Sequence, residues 1–126
     1  MPRVRNSNFE TFSDGILEII ESEERNLIKT KMENVRFGDR TVGVSRYWNA
    51  KTAGNKVDRM VSIQLDVWKN SSADVQDVVI IQNGYIKGQY KIIQIQIKYD
   101  SSPPTAYLTL EKLIHPFKDM RKNGQD

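Results

Sequence analysis

Arg46, Tyr47, Trp48, Lys51, Lys56 and Arg59 interleave cations with two aromatic rings inside fourteen residues. Such a set can neutralise phosphates and stack bases on a small barrel. The same residue types are enriched where proteins bind one another, and a tyrosine and tryptophan ahead of a strand can equally close a hydrophobic core. Chemistry of other kinds finds little material. The single histidine, His115, stands beside Pro116 near the C-terminus, and the chain has no cysteine, so the usual zinc ligand sets cannot be built. Glu23–Glu24, Asp74 and Asp77 are acidic pairs of the sort found on any surface, without a sign that they converge as a general acid and base or a cation site would need. No glycine-rich phosphate loop follows a strand. The expectation is a protein that is not an enzyme, with no cofactor, metal or small-molecule substrate.

The elements that must position these residues are mostly strands. Residues 16–37, ILEIIESEERNLIKTKMENVRF, read as two strands around a polar turn at 21–26, because Ile28, Thr30 and Met32 alternate with Lys29, Lys31 and Glu33. Ser45 could cap a short helix over 46–53 with Gly54 as its stop, although a strand from Thr41 to Trp48 is the alternative. Val61, Ile63, Leu65 and Val67 alternate with polar residues and predict a half-buried strand. Residues 77–82 predict a short apolar strand, and Asn83–Gly84 supplies a hairpin turn within 82–88.

The strongest alternation lies in GQYKIIQIQIKYD, residues 88–100. Tyr90 and Ile92 hold one phase, whereas Ile93, Ile95, Ile97 and Tyr99 hold the other, so a bulge or sharp bend is needed if one face is to stay buried. Positions 89–99 would extend roughly 36 Å at about 3.3 Å per residue, longer than one wall of a small flat sheet needs. Pro103 and Pro104 make 101–105 a connection, and Leu108 and Leu110 mark the returning strand. The fold class expected is mainly all-β: a small antiparallel barrel or sandwich of six or seven strands with one short inserted helix. The domain would span residues 14–114, with flexible segments at 1–13 and 115–126.

The 126 residues have room for one domain, and zero cysteines fit a reducing compartment. MPRVRNSNFETFSDG lacks the apolar centre of a secretory signal, and the longest aliphatic run, Val78 to Ile81, is far too short to span a membrane. The formal net charge is +3, but its distribution is uneven: six acidic and no basic residues from Glu10 to Glu24, then nine basic against three acidic from Arg25 to Arg59. Solvated strand faces that segregate by sign would produce this. So would a subunit whose acidic and basic surfaces meet on neighbouring copies.

The order Phe37-Gly38-Asp39-Arg40-Thr41-Val42-Gly43, Arg46-Tyr47-Trp48-Asn49-Ala50, Val57-Asp58-Arg59, Asp77-Val78, Gly88-Gln89-Tyr90-Lys91-Ile92 with Gln94 and Gln96, then Pro103-Pro104 and Leu108-Thr109-Leu110 resembles the head-tail joining proteins of long-tailed bacteriophages, also called head-closure, stopper or adaptor proteins. The likeness spans roughly 15–114 and rests on order and spacing. It implies a subunit of the virion neck, encoded by a phage or prophage and present in the host cytoplasm during assembly. Such a subunit forms a homo-oligomeric ring between portal or adaptor and tail proteins, helps retain the genome, and lies near packaged DNA without sequence-specific binding. A small barrel that binds single-stranded nucleic acid is the alternative function.

Overall fold

A computed structural model describes residues 10–40, 59–82 and 86–121. Among the described residues the strands are β1 (Gly15–Glu23), β2 (Asn26–Asp39), β3 (Arg59–Gln64), β4 (Val78–Ile81), β5 (Gly88–Lys98), β6 (Thr105–Lys112) and β7 (Lys118–Asp119), with one helix, α1 (Leu65–Ser71). The sheet order is β1-β4-β5-β6-β3-β2-β7, and an additional β1–β2 pairing closes six of the strands into a ring. The expected small, mainly β fold with six or seven strands is therefore present. Pairings around the ring are antiparallel, and only β7 runs parallel, along the first two residues of β2.

The β1–β2 hairpin turns at Glu24 and Arg25, both with positive φ (52° and 67°), as a two-residue turn matched to strand twist requires. Twelve residues of β2, 26–37, face nine of β1, 15–23, and the excess is taken up at three register shifts. Each bulge adds bend and twist, so this long ribbon can curve around a small core. Asn34, with φ of 60°, lies at one of them.

The apolar run Val78–Ile81 is buried on both faces. Val79 and Ile81 join the main core with Leu17, Phe37, Val61 and Leu108, whereas Val78 belongs to a second cluster with Ile20 and Leu27, covered by Ile80, Leu113 and Phe117. A strand covered on both sides has no need of alternation, which is why this one reads as continuous aliphatic sequence.

The phase change in β5 is a bulge, as its sequence requires. Ile92 pairs with Leu110 but Gln94 with Thr109, so Ile93 is the extra residue. Tyr90 and Ile92 are buried before the slip, and Ile95 packs on the same core after it.

One expectation needs correction. The alternation through Val67 breaks off: β3 ends at Gln64 and α1 begins at Leu65, whose backbone N–H donates to the Pro104 carbonyl at 2.9 Å. Leu65 and Trp68, one helical turn apart, both enter the core, and that burial outweighs a period-two pattern that runs three residues past the strand. The helix expected over 46–53 lies outside the described residues. Backbone hydrogen bonds are also made by residues outside 14–114. Glu10 is hydrogen-bonded to Ser102 upstream, and downstream Lys118 and Met120 donate to the carbonyls of Arg25 and Leu27. No helix among the described residues is long and apolar enough to cross a membrane.

Candidate interaction surface

The ring closes most narrowly between β2 and β3, through two register pairs, Gly38↔Ser62 and Asp39↔Val61. Arg40 and Arg59, the described residues on either side of 41–58 in the sequence, both lie at this seam. Arg40 N–H donates to the Met60 carbonyl at 2.7 Å, one step beyond the last pair. Arg59 Nη1 donates to Asp39 Oδ2 at 2.7 Å across the same seam.

A second layer of contacts comes from the chain's start. Glu10 Oε1 accepts from Arg40 Nη2 at 2.6 Å, and its Oε2 accepts from the Tyr107 hydroxyl at 2.5 Å. The Glu10 side chain is 9% exposed, so the two donors offset the loss of much of the water around its charge. Burial, followed by the bond to the Glu10 carboxylate, pushes the Tyr107 phenol up to about 12. Asp14 Oδ2 accepts from Asp39 N–H at 2.7 Å, while its own N–H donates to the Phe37 carbonyl. Residues 10–14 thus form a strap over the seam. Gly38 makes the close approach possible, since a Cβ there would stand 2.6 Å from the Thr11 carbonyl oxygen and 2.9 Å from Ser62 Oγ.

Of the six residues singled out from sequence, Arg46, Tyr47, Trp48, Lys51 and Lys56 lie outside the described residues. Arg59 is at the base of the segment, where its guanidinium braces β2 against β3. Sequence reasoning missed Glu10, Gly38, Asp39 and Tyr107 as the supporting set. Glu10 and Tyr107 are 97 residues apart, and no local pattern links them.

The uneven charge of the chain is partly resolved within one molecule. Glu10 pairs with Arg40, Glu18 with Arg121 at 3.0 Å, and Lys31 with Asp77 at 2.8 Å. Lys31 also donates to the Ser72 carbonyl just past the end of α1, where a cation complements the helix dipole. Arg121 binds both Asp119 and Glu18; the Asp119 hydrogen bond dominates in raising its pKa, and reciprocally holds the Asp119 carboxyl below its usual value. Of these pairs only Glu10–Arg40 joins the acidic run to the basic run; Glu18 and Lys31 find their partners, Arg121 and Asp77, elsewhere in the chain.

On the other side of the barrel, Arg25, Lys91, Lys112, His115, Ile114 and Phe117 line an open groove of about 380 Å³ together with Glu111 and Leu113. The Gln89 side-chain amide shapes it by donating to the Phe117 carbonyl at 3.2 Å and accepting from the Phe117 N–H at 2.8 Å. Among the described residues no three of His, Cys, Asp and Glu come together as a metal site would need. Comparisons with protein-family models, with curated proteins and with solved structures find no match to this chain.

Proposed function

We propose that this chain is a structural subunit of a bacteriophage neck, forming a ring that joins the DNA-filled head to the tail and helps retain the genome. The observation that carries the reading is the braced seam. A closed barrel holds both ends of the 41–58 segment through Arg40–Glu10 and Arg59–Asp39, and segments presented by a rigid scaffold are where partners attach. The resemblance over roughly 15–114 supplies the kind of partner: portal or adaptor on one side, tail protein on the other. Assembly is then the activity, and no bond is made or broken. Arg46, Tyr47, Trp48, Lys51 and Lys56 are the partner-facing residues of this proposal, with Arg59 at their base.

Sedimentation of the chain alone and with a portal or adaptor protein tests this. A monomeric or weakly associated chain that becomes a ring on its neighbour is the expected result, because closed rings need heterologous contacts. A stable two-fold dimer that ignores neck proteins would contradict it. Replacing Trp48 by alanine should weaken assembly by about 2 kcal/mol or more and leave the thermal midpoint unchanged.

The groove lined by Arg25, Lys91 and Lys112 favours a second reading, the small barrel that binds single-stranded nucleic acid. Under the first reading any binding to DNA is weak, indifferent to sequence and lost as salt rises. Micromolar or tighter binding to one sequence at physiological salt would favour the second.

A further inference from the structure

The far half of β5 is longer than its neighbour on one side. β4 pairs with residues 88–91 only, whereas β6 pairs with β5 as far as Lys98. Beyond Ile92, whose backbone is held by Gln76 and Asp77, residues 94–98 carry ladder hydrogen bonds on the β6 edge and none on the other among the described residues. The overhang past Ile92 is the six residues 93–98, or roughly 20 Å of strand.

Its side chains are those of a strand awaiting a neighbour. Ile95 packs on the core, but next along the same face Ile97 is 37% exposed and Tyr99 67% exposed. Gln96, on the opposite face, is exposed too. Open edges are usually guarded by charge, proline or a covering element. Here Gln94, Ile95, Gln96 and Ile97 are all uncharged, and Lys98 is the one charged residue within the overhang's alternating run. Lys69 of α1 adds a second cation, its ammonium 5.9 Å from the centre of the Tyr99 ring. No ion pair of Lys69 or Lys98 occurs among the described residues. Asp100, the nearest acid in sequence, acts on Tyr107 of β6.

We propose that the Gln94–Lys98 edge of β5 is a strand-addition site for an extended segment of another protein, apolar at alternate residues and carrying carboxylates toward Lys98 and Lys69. The ladder selects the partner's main chain, since only an extended peptide can meet a row of amide and carbonyl groups at this spacing. Ile97 and Tyr99 select alternate apolar side chains, and the two lysines select acidic ones. This site does not depend on the phage-neck reading, and a partner in any assembly could use it.

The test uses the full chain and three synthetic peptides with blocked ends: one alternating valine with glutamate, one alternating valine with lysine, and the glutamate peptide N-methylated at every second residue. Titration followed by residue-resolved amide exchange should show the glutamate peptide binding and slowing exchange within residues 94–98. The N-methylated peptide should not bind, and the lysine peptide should bind at least about tenfold more weakly. Ile97→Lys should reduce affinity for the glutamate peptide by about tenfold or more without moving the thermal midpoint, and Lys98→Glu, which leaves Lys69 opposed by one acid, should abolish the charge preference. Equal binding of both peptides, binding that leaves exchange at 94–98 unaltered, or no binding at millimolar peptide would overturn the proposal. Self-association that protects the same amides without peptide would also overturn it, by making a second copy the occupant.

Discussion

The two halves of β5 share one strand and one partner, β6, and both are rich in isoleucine, yet they end in opposite environments. Tyr90 and Ile92 are buried, whereas Ile97 and Tyr99 face solvent. The difference lies in what stands on the other edge. β4 and the Gln76–Asp77 backbone complete the ladder as far as Ile92, and past that point the strand has one neighbour among the described residues. Side-chain type sets which residues could be buried; the length of the adjacent strand decides which are.

Substitution should separate the halves most sharply. Ile92→Ala removes a fully buried side chain and should cost about 3 kcal/mol of folding stability, whereas Ile97→Ala should cost less than about 1 kcal/mol. Chemical denaturation of the two variants measures the gap, and equal losses would mean that the overhang is as closed as the barrel.

The seam offers the next effect. Gly38→Ala places a methyl group against the Thr11 carbonyl oxygen and Ser62 Oγ, and should cost about 2 kcal/mol as the strap lifts or β3 shifts. Faster amide exchange at Glu10, Asp14 and Asp39 would accompany it. A glycine-to-alanine change on the β5 side of the barrel would not loosen these amides.

A smaller effect distinguishes the seam by pH. Tyr107 has its pKa raised to about 12 from 10.0, so the unfolded chain gives up this proton first as pH rises. The stabilisation is complete below about pH 10 and is lost between about pH 10 and 12. Tyr107→Phe should therefore show a shallower loss of stability over that window than the parent chain. At neutral pH it should cost about 1 kcal/mol, because the largely buried Glu10 carboxylate loses one of its donors. Subtracting the two stability curves isolates this residue from the other tyrosines.

Arg121→Ala should have a small effect on the barrel, about 0.5 kcal/mol, since its ion pairs are only partly buried. Its consequence is local: the β7 pairing with Asn26 and Leu27 should exchange faster while β5 is unchanged.

What was legible in the sequence followed from local period. The phase change between Ile92 and Ile93 announced the β5 bulge, and the alternation of residues 28–33 announced the hairpin arm. The helix at Leu65–Ser71 was obscured because Leu65 and Val67 continue the period of β3, and only their packing with Trp68 under the barrel shows otherwise. The contacts of residues 117–121, made through backbone pairing, the Gln89 amide and the ion pairs of Arg121, leave no periodic signature in a polar segment. The strap at the seam was hidden for a related reason: Glu10, Arg40 and Tyr107 are each ordinary surface residue types, and their meeting depends on how the ring closes.

Residue-resolved amide exchange along β5 in the isolated, monomeric chain tests most directly whether this barrel is closed on one side and open to a partner on the other. The account expects the amides of Tyr90–Ile92 to exchange only with global unfolding, while amides on the outer edge of Gln94–Lys98 exchange orders of magnitude faster by local opening. Uniformly slow exchange from Tyr90 through Lys98 in the monomer would contradict it, because the edge would then already be covered.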